Sequence, residues 1–398
     1  MKTAIVNIGT IVSGDWRNPF VAGDSIAMSG GLITAVGTVD RNVIDDCDVV
    51  IDAAGATAIP GLIDSQVHVT FGDYTPRQKT VGFLESYVHG GVTSSISASE
   101  VHVPGRPKDP EGVKALAIAA QRCFEHFRPG GMKVYGGAVI LEPGLEPRDF
   151  QELSSKRVWL AKAGFGNFPT PYGYAPQIAA AREQGMITLM HTGGASIPGS
   201  SAIRADHLLK CNPHVSFHIN GGPVALPDEE YALIIDESAI ALQVCTAGNH
   251  RTMKLCAELA REHGQFHRFL IATDTPTGSG IMPLGMLYAI AFLASMTDIP
   301  PEALIGAATG NNADIYKINS GYLAPGRDAD VVILDAPLGC VRDSALGALK
   351  NGDPAAVAAV VTAGIPRFVG RSRNTPAPVR SVKVVKNRVT QDFGGAAH

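Results

Sequence analysis

The sequence predicts an α/β protein, a (β/α)8 TIM barrel with a small β-sandwich domain that both ends of the chain build. Three observations support this fold class. The middle of the chain alternates apolar runs with helical segments, both ends are rich in short β segments, and 398 residues suit one large barrel with a small companion. We expect residues 1–57 and 321–398 to form the composite β-sandwich domain, and residues 58–320 to form a metal-dependent catalytic barrel.

Eight apolar segments in the middle region are the strand candidates, and each precedes a helical segment or a loop. They are GLIDSQVHV, VTSSISAS, MKVYGGAVIL, VWLAKAGFG, MITLMHTGG, VSFHINGG, AIALQVCTA and RFLIATDTP. Eight strand–helix repeats in roughly 260 residues match the size of a (β/α)8 barrel. A doubly wound open sheet is the alternative.

The composition indicates a folded chain without a nucleic-acid or membrane partner. Hydrophobic residues make up 45% of the sequence, as in a folded chain. The formal net charge is −4, so the chain has no excess of positive charge with which to bind the phosphate backbone of a nucleic acid. No apolar run approaches the ~18 residues that span a bilayer. The six cysteines lack a C-x-x-C spacing and the first residues lack a signal-peptide pattern. We expect a cytoplasmic protein with reduced thiols.

Five polar residues end the apolar runs, where barrel enzymes carry their chemistry: His68, Lys162, His191, His218 and Asp274. A single histidine at a strand end is usually structural. Three histidines and an aspartate would converge on one pocket if the barrel closes. Imidazole and carboxylate suit a divalent transition metal such as zinc or iron, which activates water. The pattern therefore predicts a metal centre.

These motifs resemble the amidohydrolase superfamily over nearly the whole chain. The markers are PGLIDSQVHV at 60–69, the strand-end residues His191, His218 and Asp274, and GYLAPGRDADVVILD at 321–335. The resemblance implies a metal-bearing barrel that hydrolyses amide or related bonds of small molecules. It also implies one or two divalent metal ions per chain, zinc or iron with manganese as an alternative, and a homotetramer.

Within the superfamily the chain is most similar to the enamidase group, which opens cyclic enamides. This similarity rests on GDYTPRQKT at 72–80, HTGGASIPGSS at 191–201 and HINGGP at 218–223. It implies a small cyclic amide as substrate, enamide-like or lactam-like and bearing a carboxylate. By the same resemblance, Asp274 takes a proton from the metal-activated water and passes it to the leaving nitrogen.

Two positions depart from the family pattern. The family opens its metal site with H-x-H, and here Gln66 stands at the first of these histidines. An amide oxygen is a weaker ligand than imidazole, so lower occupancy of the site shared by Gln66, His68 and Asp274 is expected. The family's bridging ligand is a glutamate or a carboxylated lysine. Lys162 is the main candidate here, Glu142 is the competing carboxylate, and the absence of any bridge is the third alternative.

Substrate contacts are predicted from the loops and polar residues near the strand ends. Arg77 follows the first strand and offers a bidentate fork for a substrate carboxylate, with Arg106 as a weaker candidate. Asn220 and Asn249 are candidates for hydrogen bonds to the ligand.

The leading function is a metal-dependent amidohydrolase that cleaves the C–N bond of a cyclic amide. One alternative is a deaminase or an acyclic amide hydrolase on the same scaffold, because fold does not determine function. A second alternative, favoured by Gln66, is a non-catalytic relative with a degraded metal site that serves as a binding or assembly protein.

Overall fold

The computed structural model describes residues 1–69, 76–97, 105–195, 201–222, 224–276 and 280–393, and of residues 76–81 the backbone alone. The first part of the chain is a series of short strands with one short helix. These elements are β1 (Lys2–Val6), β2 (Thr10–Val12), β3 (Phe20–Val21), β4 (Ser25–Ser29), β5 (Leu32–Gly37), α1 (Arg41–Asp46), β6 (Val49–Asp52) and β7 (Thr57–Pro60).

The middle of the chain alternates buried strands with helices. The first four units are β8 (Leu62–Val67) with α2 (Pro76–Val88), β9 (Val92–Ser97) with α3 (Pro110–Glu125), β10 (Lys133–Tyr135) and β11 (Ala138–Ile140) with α4 (Pro147–Ser155), and β12 (Leu160–Ala163) with α5 (Ala175–Glu183). The next four are β13 (Ile187–His191) with α6 (Ala205–Cys211), β14 (Val215–Phe217) with α7 (Asp228–Glu237), β15 (Ala241–Cys245) with α8 (His250–Glu262), and β16 (Phe269–Ala272) with α9 (Gly285–Met296). Each of the eight predicted strand segments thus contains a strand, and two glycines split the third into β10 and β11.

Two helices and the C-terminal strands complete the chain. They are α10 (Pro301–Ala308), α11 (Gly310–Tyr316), β17 (Val331–Asp335), α12 (Ala345–Asn351), β18 (Ala356–Thr362), β19 (Ile365–Val369) and β20 (Lys383–Asn387). Among the helices of the described ranges, none has the length and apolar character that a membrane span requires.

The strands of the middle region pair in parallel. One sheet has the order β10-β9-β8 and another the order β11-β12-β13-β14-β15-β16. A parallel bridge joins Val67 to Thr275, just beyond β8 and β16, and backbone hydrogen bonds of 2.9 Å join Asp274 to Gln66 and His68 to Thr275. The last strand of the longer sheet therefore lies beside the first strand of the shorter one. The chain is an α/β protein with parallel sheets.

One hydrophobic cluster contains side chains from all eight units. Its members include Ile63, Ile96, Ala138, Leu160, Ile187, Val215, Ala241 and Leu270. These strands are buried along their whole length rather than on alternate residues, as in parallel sheets covered on both faces. Polar side chains at their carboxyl ends are therefore enclosed by the fold.

The two chain ends share two further sheets and one core. The sheets have the orders β20-β6-β1-β4-β5 and β19-β18-β17-β7-β2-β3, so each combines N-terminal with C-terminal strands. Ile5, Ile26, Ala58, Val331 and Ala358 belong to the same hydrophobic cluster, which draws on both sheets. The β-rich ends predicted from the sequence therefore pack against each other.

Candidate active site

The five strand-end residues lie at the same edge of the parallel sheets. His68 and Asp274 follow β8 and β16, Lys162 lies near the end of β12, and His191 and His218 stand at the ends of β13 and β14. All five are buried. Since carboxyl ends of parallel strands meet at one edge, the fold brings these groups into one region.

Asp274 is held by two side chains of the first strand. Its Oδ1 accepts a hydrogen bond of 2.7 Å from Nε2 of Gln66 and lies 3.1 Å from Nε2 of His68. Burial by itself would raise the pKa of Asp274, but the hydrogen bond with His68 and the attraction that His218, His68 and Lys162 exert when protonated outweigh burial and lower it below its usual value. Asp274 is therefore a carboxylate at neutral pH.

His191 and His218 form a second pair, with ring centroids 4.5 Å apart. Nε2 of His191 donates a hydrogen bond to the carbonyl of Gly194, and Nδ1 of His218 donates one to the carbonyl of Thr192, each at 3.0 Å. Burial lowers the pKa of His218 to about 4 and that of His191 well below its ordinary value. Both rings are neutral at pH 7. Because a carbonyl can only accept, the lone pair of each ring lies on its other nitrogen.

The backbone at this edge is strained where these side chains are presented. His218 has φ of 38° and Asp274 has φ of 60°, a left-handed region that residues other than glycine seldom adopt. Such conformations cluster at functional sites. The neighbouring strand makes room for His191 through Gly164, where a Cβ would lie 2.4 Å from Cβ of His191.

Lys162 is the most buried of the five groups. Its Nζ lies 3.8 Å from the ring centroid of Phe217 and 5.7 Å from that of Phe165. Burial lowers the pKa of Lys162 to about 7, although the negative charge of Asp274 acts in the opposite direction. A large share of Lys162 is therefore an uncharged amine at neutral pH.

Glu142, the competing bridge, is engaged elsewhere. Its Oε1 accepts from Nη1 of Arg106 and its Oε2 from the backbone N–H of Asn167, both at 2.8 Å. Arg106 also donates to the carbonyl of Phe165. Glu142 and Arg106 therefore neutralise each other and connect three strand-end loops, and their predicted roles as bridging ligand and substrate contact remain predictions.

The amide of Asn220 is also fully used inside the protein. It accepts from the N–H of Cys245 at 2.9 Å and donates to the carbonyls of Cys245 and Asn249. These hydrogen bonds give Asn220 a structural role, and its contact with substrate remains a prediction. Asn249 accepts from the N–H of Thr252 as the N-cap of α8. The side chain of Arg77 lies outside the described residues.

The sequence analysis did not single out Cys245, which it counted among the reduced thiols. The Sγ of Cys245 lies 3.2 Å from Oε1 of Gln66, and burial raises the pKa of Cys245 well above its usual value, so the thiol donates. Its position at the end of β15 was the available signal. Gln66 therefore has a partner at each end of its amide.

Across the described ranges, no three His, Cys, Asp and Glu side chains are grouped as a metal-holding cluster. The candidate ligands form two pairs instead, His68 with Asp274 and His191 with His218. The charge of Lys162 affects the pKa of His191, His218 and Asp274, which puts Lys162 within reach of both pairs.

Comparison with known proteins identifies the family of the chain. The sequence profile of the amidohydrolase family matches residues 57–374. Enamidase of Eubacterium barkeri is 45% identical over 385 residues, which are 96% of this chain and 100% of that protein. An imidazolonepropionase of Salinispora tropica is 24% identical over 320 residues, 72% of this chain and 80% of the relative. The crystal structure of enamidase superposes with a TM-score of 0.91, covering 97% of this chain and 100% of that one. The chain therefore belongs to the amidohydrolase family.

Proposed function

We propose that this protein hydrolyses the C–N amide bond of a small cyclic amide with water activated by a divalent metal. The observation that carries the proposal is the pairing of two neutral histidines, His191 and His218, within reach of Asp274. The full-length similarity to enamidase supports a ring-opening reaction on a cyclic enamide.

We propose further that the eight β–α units close into a (β/α)8 barrel over residues 58–320. The bridge between Val67 and Thr275 and the cluster shared by all eight units support closure. The two sheets built from residues 1–57 and 321–398 would then form the composite β-sandwich domain, in line with their common core.

The residues of the site fit a metal centre. Neutral imidazole is the ligating form of histidine, and the carbonyl partners of His191 and His218 leave the opposite ring nitrogen of each for a metal. His68 and Asp274 would hold a second ion. Zinc and iron suit this donor set, with manganese as an alternative. When bound, such an ion supplies an activated water and an electrophile for the amide carbonyl.

We assign the bridging position to a carboxylated Lys162. An uncharged amine adds CO2 with loss of one proton and becomes a carbamate, whose oxygens can ligate cations. Burial gives Lys162 the required uncharged form near pH 7. Glu142 does not compete for this role, because Arg106 and the backbone of Asn167 take up its two oxygens. A carbamate would link the two pairs of ligands that the fold leaves separate.

Asp274 moves the proton in this reaction. Its lowered pKa keeps it ionised and ready to accept a proton from the attacking water. The leaving nitrogen of the amide then receives that proton from Asp274, and the ring opens to an acid. His68, at 3.1 Å, holds the carboxylate in place.

Gln66 is a positioning residue for Asp274 rather than a metal ligand. Its Nε2 donates to Asp274 and its Oε1 accepts from Cys245, so the amide oxygen is turned away from Asp274. The site of His68 and Asp274 therefore has one imidazole fewer than the family pattern, and its metal binds more weakly than that of His191 and His218.

Arg77 remains our candidate for binding a substrate carboxylate, since Arg106 is ion-paired with Glu142. Asn249 remains a candidate hydrogen-bonding residue. A homotetramer is proposed from the similarity to the enamidase group.

Product analysis tests the proposed function. The metal-loaded protein is incubated with five- and six-membered cyclic amides, with and without a ring carboxylate, and the products are identified by mass spectrometry. Addition of one water to a saturated lactam supports the proposal. For a cyclic enamide, addition of two waters with loss of one ammonia supports it, because the enamine freed by ring opening hydrolyses to a carbonyl compound. Release of ammonia from an amino-substituted ring would indicate a deaminase instead, and no turnover of any compound would favour a non-catalytic binding protein.

A further inference from the structure

A cavity of about 600 Å³ lies at the opposite edge of the parallel sheets from the strand-end residues. Its walls come from the end of α2, from the turn of residues 129–131, and from β19 with the segment that follows it. The first two precede β9 and β10, so the cavity is at the amino ends of the strands. None of its lining residues belongs to the candidate active site.

Three arginines line this cavity, Arg128, Arg367 and Arg373. Within the described ranges, no carboxylate lies within 4.0 Å of any of their guanidinium groups, whereas many other arginines of the chain are ion-paired. Glu85 lines the cavity too, but it is exposed and forms no ion pair with them. The cavity therefore has an excess of positive charge.

The side chain of Arg367 is held in the wall of the cavity by a hydrogen bond. It is half-buried, its Nε donates to Oγ1 of Thr362, and burial lowers its pKa. The turn beneath it needs a glycine, because a Cβ on Gly131 would lie 2.1 Å from Nε of Arg367. Asp330 attracts this half-buried guanidinium from beyond ion-pair distance, so Arg367 has no direct carboxylate partner among the described residues, and an anion in the cavity would stabilise it.

A flat aromatic surface stands beside these charges. The ring of His89 stacks on Phe368 with centroids 4.4 Å apart and an interplanar angle of 16°. Burial, and secondarily the charge of Arg373, lowers the pKa of His89 to about 4, so this ring is neutral at pH 7. Asn374 is fixed at the rim by hydrogen bonds to Ser86.

We propose that this cavity binds an organic anion with two negative charges on a planar ring. The volume is in the range of ~300 to 1,000 Å³ typical of small-molecule sites and exceeds what an inorganic ion needs. Guanidinium forks match carboxylate and phosphate equally well, so both chemistries satisfy the site. The ring would lie against the apolar wall of His89 and Phe368.

Calorimetric titration of the metal-loaded protein tests the proposal with two probes, phthalate and phenyl phosphate. Both carry a planar ring and two negative charges, and they differ in the anionic group. The test variant combines Arg128→Ala with Arg373→Ala, since both side chains are exposed and their loss leaves the core intact. Arg371→Ala, on the same segment but outside the cavity lining, is the matched control.

Saturable binding of either probe below about 1 mM, weakened ~10-fold or more in the double variant and unchanged in Arg371→Ala, supports the site. The probe that binds identifies carboxylate or phosphate as the anionic group. Absence of saturable binding by both probes, or equal affinity in the double variant, overturns the proposal. Neither outcome depends on the hydrolytic reaction.

Discussion

Gln66 donates a hydrogen bond of 2.7 Å from its amide nitrogen to Oδ1 of Asp274. The orientation of the amide is determined by its partners. An ionised carboxylate can only accept, and the thiol of Cys245, 3.2 Å from Oε1, donates. The residue that departs from the family pattern thus contacts the proposed proton acceptor directly through its amide nitrogen, while its amide oxygen accepts from Cys245.

Replacing Gln66 by leucine should lower kcat by ~10-fold or more, because Asp274 loses a positioning hydrogen bond. The metal content should stay at the level of the unmodified protein, since the amide oxygen faces Cys245. Elemental analysis alongside steady-state kinetics measures both. Loss of a metal equivalent in Gln66→Leu would show that Gln66 is a ligand after all.

Restoring imidazole in Gln66→His should strengthen metal binding at the site of His68 and Asp274. We expect slower loss of that metal to a chelator than in the unmodified protein, while the metal of His191 and His218 leaves at its original rate. An unchanged release rate for both ions would count against a weakened first site.

Lys162 should carry a carbamate. Protein prepared with carbon-13 bicarbonate should show a carbamate resonance that is lost in Lys162→Ala and kept in the surface control Lys254→Ala. Metal content should fall in Lys162→Ala, and a short carboxylate such as propionate should restore part of the activity by filling the vacated space. A resonance that persists without Lys162 would exclude this assignment.

Glu142→Gln should lower the free energy of unfolding by about 3 kcal/mol, because it leaves the guanidinium of Arg106 without its buried partner. The metal content should not change. The matched control is Glu146→Gln, whose exposed ion pair with Arg148 should contribute less than ~1 kcal/mol. Metal loss in Glu142→Gln, with the free energy of unfolding unchanged, would indicate that Glu142 is a bridging metal ligand.

Acid should destabilise the fold through His214. Its Nδ1 accepts from the N–H of Thr188 at 3.0 Å, and burial lowers its pKa to about 4. The unfolded chain binds this proton near pH 6.5 and the folded protein only near pH 4, so the stability conferred by neutral His214 is present above pH 6.5 and is lost as the pH falls towards 4.

This loss should amount to about 2 kcal/mol after allowance for the partial exposure of the ring. His214→Asn keeps an acceptor near the same position but cannot titrate, so its denaturation curves should depend less on pH in this range. His126→Asn, at an exposed position, should behave as the unmodified protein. Identical pH dependence in His214→Asn would contradict the assignment.

The sequence predicted which residues lie together at the strand ends, because this depends on local pattern. His191 and Asp274 each end an apolar run, and the parallel fold brings such ends together regardless of the helices between them. The contacts that give Gln66 and Glu142 their roles join distant segments. Cys245 is 179 positions from Gln66, and Arg106 is 36 positions from Glu142. Side-chain pairing of this kind depends on register and packing, which apolar periodicity does not encode.

The most direct test of the account is the metal dependence of ring opening, measured in the unmodified protein and in Asp274→Asn. Chelation should reduce hydrolysis of a cyclic enamide to background, and zinc, iron or manganese should restore it. Asp274→Asn, reloaded with the same metal, should remain slower by ~10² or more, because its amide cannot accept the proton. Full turnover by the metal-free protein, or by Asp274→Asn, would contradict a metal-dependent hydrolase in which Asp274 carries the proton.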